Sequence, residues 1–148
     1  MAEMMEKLNL VELPGHLIRR LHQQSTSVFQ ERMKAEGVDL TSVQFAALNT
    51  LGKGEDLDQA TVAKRIAYDR ATIGGVIKRL EQKGLVTRTP DDEDRRAFKL
   101  NLTKKGKDQL AALQPVVLAL QNDILSELSG AEKAMLLELM MKAVKSGR

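Results

Sequence analysis

A mainly helical fold with one small β-hairpin is what this chain of 148 residues predicts, and three observations carry the prediction. Apolar residues recur every three or four positions over most of the length, the period of a helix with one buried face. Thr41, Asp58, Asp69, Thr103 and Ser129 each stand just ahead of such a stretch, where a side-chain oxygen can take up the free N–H groups of a first helical turn. Only residues 85–102 change texture, to β-branched residues and period-two alternation on either side of an acidic turn.

The first helix begins at Pro14-Gly15 and runs to about Lys34 through Leu17, Leu21, Val28 and Arg32, because proline suits the first helical position and Gly37 suits an exit. Thr41-Ser42-Val43-Gln44 reads as a capping box opening a second helix with Phe45, Leu48 and Leu51, stopped by Gly52-Lys53-Gly54. Asp58 opens a short third helix through Val62, Ala63 and Ile66. Asp69 opens a fourth through Ile73, Val76, Ile77 and Leu80, closed by Gly84. Leu85 to Thr89 and Ala97 to Leu102 form a hairpin around the turn Pro90 to Asp94. Thr103 opens a long helix whose stripe runs Leu110, Leu113, Val117, Leu120, Ile124 and Leu128, with a kink expected at Pro115. Ser129-Gly130-Ala131-Glu132 is a second capping box, before a last helix with Met135, Leu136, Leu139, Met140 and Val144.

Charge sorts these elements further. Residues 59–105 hold twelve Lys and Arg against six Asp and Glu, a local charge of +6 in a chain of net +3, so the remainder is −3. Helix, tight turn, helix and hairpin in that order is the arrangement of a winged helix-turn-helix, whose second helix enters a DNA major groove while the hairpin reaches the backbone or minor groove. The positive segment coincides with those elements, so a polyanionic partner is the economical reading, against that of a merely solvated basic face. On the fourth helix, spacing places Arg70, Ala71, Thr72, Gly75, Lys78 and Arg79 on the early and outward faces, with Ile73, Val76, Ile77 and Leu80 inward. Arg70 and Lys78 suit guanine edges or phosphate, and Thr72 a phosphate or a thymine methyl. Gly74-Gly75 costs a helix about 1 kcal/mol per glycine, which points to close approach of backbone to the groove or to tolerated flexibility. Arg95 and Arg96 follow an acidic turn, and a guanidinium fits the negative potential of a narrow minor groove.

Three stretches together, Arg70-Ala71-Thr72-Ile73-Gly74-Gly75-Val76-Ile77-Lys78-Arg79-Leu80-Glu81-Gln82-Lys83-Gly84-Leu85-Val86, Asp91-Asp92-Glu93-Asp94-Arg95-Arg96 and Leu102-Thr103-Lys104-Lys105-Gly106, resemble the multiple antibiotic resistance regulator (MarR) family. The resemblance extends over nearly the whole chain. It implies one domain over residues 1–148, with 1–36 and 104–148 as dimerisation helices and 37–103 as the DNA-binding part. In the family pattern one wing arginine enters the minor groove and the other pairs with an aspartate such as Asp94; the sequence does not say which of Arg95 and Arg96 does which.

The apolar faces of the terminal segments exceed what one small winged unit can cover, and a second copy would bury them, which makes the expected partners a homodimer and a pseudo-palindromic double-stranded operator. The resemblance also implies a pocket between the dimerisation helices and the winged part, where such proteins hold phenolic or aromatic acids. Arg19 or Arg20 can pair a carboxylate, His16 or His22 can bond a phenol, and Phe45 would flank the cavity. The first helix is similar to that of members responding to aromatic acids, including hydroxycinnamates or their CoA thioesters. Each of these polar residues reads equally as a surface or interface group, and Phe45 as plain core.

Other classes fare worse. The chain has no cysteine and two histidines six apart on one helix, and it shows no nucleotide-binding glycine loop, so neither an enzyme, a cofactor nor a metal site is expected. No apolar run reaches the roughly 18 to 20 residues of a membrane span, and Glu3 and Glu6 do not suit a signal peptide, so a cytoplasmic protein is expected. The competing reading is a non-specific architectural DNA binder or a protein-interaction winged helix without a ligand.

Overall fold

The structure, a computed structural model, describes residues 7–54, 56–93 and 98–144, with Arg70 described by its backbone. After a short 3-10 turn at Leu10–Glu12 the helices are α1 (Pro14–Ala35), α2 (Ser42–Leu51), α3 (Gln59–Arg65) and α4 (Arg70–Gln82). Strands β1 (Val86–Pro90) and β2 (Phe98–Leu102) follow, then α5 (Lys104–Ile124) and α6 (Gly130–Ala143).

All five helix starts expected from side-chain caps form. The Thr41 hydroxyl accepts the Gln44 N–H at 3.2 Å and Gln44 Oε1 accepts the Thr41 N–H at 3.2 Å, closing the first box. Asp58 and Asp69 each accept the N–H three residues on at 2.7 Å, Thr103 accepts that of Gly106 at 3.0 Å, and Ser129 with Glu132 closes the second box. Each bond satisfies an N–H that the helix itself leaves free.

The winged unit shares one core. Leu48 of α2, Val62 of α3, Ile73, Ile77 and Leu80 of α4, Leu85, Leu100 of β2 and Leu120 of α5 are all fully enclosed, so cutting any of them back to alanine costs about 2–5 kcal/mol. Between α3 and α4, Ala67 takes a left-handed φ of 59°, while the Tyr68 N–H returns to the Ala63 carbonyl at 2.9 Å. That tight turn sets α4 across α3. Gly84, at φ 74°, ends α4 in the same manner, with the Leu85 N–H on the Leu80 carbonyl at 3.0 Å. Glycine enters this region without steric cost.

The hairpin is antiparallel, with Val86 opposite Leu102, Arg88 opposite Leu100 and Pro90 opposite Phe98. Its base is sewn to the body by a bridge from the Leu100 N–H to the Leu57 carbonyl, 2.8 Å. Thr103 holds the far side: its hydroxyl donates to the Gly84 carbonyl at 2.6 Å and its N–H to that of Leu85 at 3.0 Å. Gly106 is obligatory there, because a methyl group on its Cα would overlap the Leu85 carbonyl oxygen.

The structure departs from the sequence reading at element edges: Ile66 and Val144 fall just past the ends of α3 and α6, and three further shifts have a physical cause. β1 starts at Val86 instead of Leu85, whose N–H is spent on the helix exit. Pro90 ends β1 instead of opening the turn, a strand-end position where its missing N–H does no harm. α5 stops at Ile124, so Leu128 lies beyond it: the Ser129 cap needs extended backbone, φ −66° and ψ 166°, and the helix has to unwind first. Pro115 lies within α5, which continues through it as one element.

Candidate nucleic-acid interface and effector cavity

α4 presents two unlike faces. Ile73, Val76, Ile77 and Leu80 are buried, while Ala71, Thr72, Gly75, Lys78 and Arg79 are exposed together on the opposite side. Among the described residues neither Lys78 nor Arg79 is paired with a carboxylate, so both ammonium and guanidinium are available to an outside anion. Arg70 opens the helix; its side chain, and the whole of Arg95 and Arg96 with Asp94, lie outside the described residues.

Asp69 controls the leading edge of this face. Its Oδ1 accepts the Thr72 N–H at 2.7 Å and its Oδ2 the Thr72 hydroxyl at 3.0 Å. The Thr72 backbone bond first, then its side-chain bond, hold the Asp69 carboxyl below the usual aspartate range. Thr72 therefore has its hydroxyl proton committed to Asp69, and that proton is not free for donation to a phosphate. The two glycines separate as well. A side chain at Gly74 would meet the Gln59 amide at 3.3 Å, whereas one at Gly75 would meet open space, so only Gly75 lies on the outward face.

Some basic residues of the positive segment are already engaged. Lys83 donates to the Asp39 carbonyl and to Gln44 Oε1 at 3.1 Å, tying the end of α4 to the start of α2. Arg88 of β1 contacts Glu81 at 2.8 Å and Gln59 at 3.2 Å and lies 5.7 Å from the centre of the Phe98 ring. The sequence reading did not single out Arg88, Glu81, Gln59 or Lys83. Strand alternation puts Arg88 on the same face as Val86, which was one available signal; its partners are distant in sequence and were not visible there.

The residues expected to hold an effector are scattered over one protomer. Arg19 Nη2 lies 3.4 Å from His16 Nδ1, one turn apart on α1, and Arg20 and His22 are exposed. Phe45 is half-buried against Phe29, ring centres 6.3 Å apart. A cavity of about 480 Å³ opens between α1, the end of α5 and α6, walled by Ile18, Leu21, Leu125, Leu137 and Met140. Of the five expected residues, His22 alone lines it.

Apolar side chains on α1, α5 and α6 are bare. Leu17, Ile18, Leu118, Met135, Leu139 and Met141 are all exposed, Leu118 at 75 % and Met135 at 64 %, and no residue of α6 is buried. Among the described residues no helix is long and apolar enough to cross a membrane, and no cluster of His, Asp and Glu could hold a metal ion.

Comparison with known proteins agrees with this geometry. The MarR family model matches residues 38–97, from just after α1 to just before β2. The HTH-type transcriptional repressor NicR of Pseudomonas putida is 34 % identical over 138 residues, covering 93 % of this chain and 86 % of that protein. The transcriptional regulator PcaV of Streptomyces coelicolor, solved with its natural ligand, superposes with a TM-score of 0.85 at 31 % identity, over 97 % of this chain and 100 % of that one. Bordetella bronchiseptica BpsR, solved to explain regulation of its DNA binding by 6-hydroxynicotinic acid, gives a TM-score of 0.86 at 28 % identity, over 95 % and 99 %. With the winged helix-turn-helix flanked by α1 on one side and by α5 and α6 on the other, and these relatives spanning nearly its whole length, the chain belongs to the MarR family.

Proposed function

We propose that this protein is a homodimeric transcriptional repressor that leaves a pseudo-palindromic operator when a small aromatic acid, or its CoA thioester, binds. The observation that carries the reading is α4: a helix nailed to the core by four buried residues, whose other face shows Thr72, Gly75, Lys78 and Arg79 to solvent. Arg70, Ala71, Thr72, Gly75, Lys78 and Arg79 enter the major groove, and Arg95 or Arg96 the minor groove beside it. Residues 37–103 are the DNA-binding part, and residues 1–36 and 104–148 pair with a second copy.

In this reading the His16–Arg19 pair is the acid-binding end of the effector site, and Arg20, His22 and Phe45 are further candidate contacts, since a guanidinium holds a carboxylate and an imidazole bonds a phenol. Regulation by 6-hydroxynicotinic acid in BpsR supports this ligand class. A ligand that fits a different spacing of the two α4 helices shifts the population away from the DNA-binding one; tenfold weaker binding needs only about 1.4 kcal/mol of differential affinity. The protein performs no reaction, and it acts in the cytoplasm, where its operator is.

The test is a gel-shift titration on the DNA upstream of the chain's own gene, against a scrambled fragment at matched salt, with hydroxylated aromatic acids and acyl-CoA thioesters added. Preference for the native fragment, lost on addition of one ligand and slowed by Arg19→Ala, is expected. Equal binding to both fragments would leave an architectural DNA binder instead.

A further inference from the structure

The winged hairpin is held in two halves of different kind. On its body-facing side the row reads Val86, Arg88 and Pro90 on β1 opposite Leu102, Leu100 and Phe98 on β2. Val86, Leu100 and Leu102 are buried, so the base of the hairpin belongs to the core. Beyond Leu100 no described residue is: Thr89, Pro90 and Phe98 are exposed, Phe98 at 43 %. A two-stranded ribbon with no buried face is marginal by itself, yet it must carry the wing tip to a fixed place relative to α4.

Arg88 stands where the burial stops, and it is the charged member of that row. Its guanidinium makes three contacts to three other elements: Glu81 of α4 at 2.8 Å, Gln59 Oε1 at the start of α3 at 3.2 Å, and the Phe98 ring on β2 at 5.7 Å. Gln59 is itself lodged against Gly74, where any side chain on α4 would crowd its amide at 3.3 Å. A planar guanidinium suits this role, because it can pair a carboxylate, donate to an amide oxygen and lie over an aromatic ring at once. Its charge is balanced by Glu81 instead of being presented to phosphate.

We infer that Arg88, braced by Glu81 and Gln59, is the positioning residue that fixes the angle of the wing against the recognition helix, and hence whether both can engage DNA together. The inference rests on the operator-binding reading above. It makes a prediction whose sign opposes simple electrostatics. Removing the Glu81 carboxylate raises the positive charge beside the DNA-binding face, which by charge alone tightens DNA binding; if Glu81 serves to hold Arg88, the same change weakens it.

The experiment compares the full-length dimer with Arg88→Ala, Glu81→Ala, the double variant, and each of these in an Arg95→Ala, Arg96→Ala background. Operator affinity is measured over a range of salt, and backbone hydrogen exchange is followed without DNA. Both single variants should bind operator about tenfold more weakly, the double variant no worse than either, and the effect should disappear once the wing-tip arginines are gone, the mark of one shared function. Exchange at Thr89 and Lys99, beyond the brace, should quicken in both variants while Leu100, bonded to Leu57, and Thr103, bonded to Leu85, stay protected, which separates a loosened wing from a misfolded domain. Tighter binding by Glu81→Ala, with Arg88→Ala lowering the salt slope by about one phosphate contact, would make Arg88 an ordinary phosphate ligand and overturn the inference. Unchanged affinity in both variants would overturn it too. If the wild type shows no preference for operator, the functional reading falls separately, and exchange alone decides: quickened exchange sustains the brace and unchanged exchange ends it.

Discussion

An acidic residue at the tip of a helix meant for DNA has to be explained by what it holds. Asp69 fixes the first turn of α4 through two bonds to Thr72, and these keep its folded pKa below the unfolded one. Its stabilising contribution is thus complete at neutral pH and is lost as pH falls below about 4 and through the folded pKa. Glu132, held low by the Ser129 N–H in the second capping box, acts in the same direction. Asp69→Asn keeps a competent cap, so its thermal midpoint at neutral pH should stay near wild type. Its acid-induced loss should be shallower, and its affinity for any DNA higher because a negative charge has left the contact face. Melts from neutral to acid pH and binding to random duplex measure both; an unchanged acid branch would detach Asp69 from it. Gly75 gives a second residue-level prediction. With open space around its Cα, Gly75→Ala should raise stability by about 1 kcal/mol, read as a higher thermal midpoint, while weakening operator binding if the backbone must approach the groove. Tighter or equal binding would leave Gly75 without a part in recognition. Such features were legible in the sequence because caps and helix faces are decided within four residues of each other. The Lys83 tie to Asp39 and Gln44, bridging 44 and 39 positions, was not, because no local rule brings those side chains together.

Among the elements, the order of helices and hairpin was readable throughout, since each has its own start signal; the edges shifted where two signals competed for one backbone group. Leu85 fits a strand by composition and is claimed by the α4 exit, and Leu128 extends the α5 stripe and is overruled by the Ser129 cap. The joint between α4, β1 and α5 is the most constrained of these. Gly106 packs against the Leu85 carbonyl, and main chain cannot retreat as a side-chain tip can. Gly106→Ala is therefore expected to destabilise the domain by about 1–3 kcal/mol, a fall of several degrees in the thermal midpoint, and to disturb the wing before the far ends of α1 and α6. A midpoint equal to wild type would show that α5 can slide there.

For the molecule as a whole, the winged unit is complete in one chain and the terminal helices are not. Met135, Leu139 and Met141 of α6 are more than half exposed, although a stable interface would cover about 800 Å² on each partner. Leu139→Lys should give a monomer in sedimentation and lose operator binding, while leaving the winged core folded by circular dichroism. A dimer of normal affinity would move the interface elsewhere. The sequence announced this surplus of apolar face but could not arrange the effector residues. His16 and Arg19 meet on α1, while Arg20 and His22 are exposed and Phe45 packs against Phe29, so the five residues do not line one cavity within a protomer.

That α6 has no buried residue of its own carries further than the shape of the dimer. A segment of 14 residues is marginal as a helix unaided in water, so covering it with a second copy adds to its order, and melting temperature should climb with protein concentration. Regulators assembled in this manner respond to their own abundance: at low copy number the DNA-competent species grows as the square of the chains present, and the promoter experiences a threshold instead of a gradual dose.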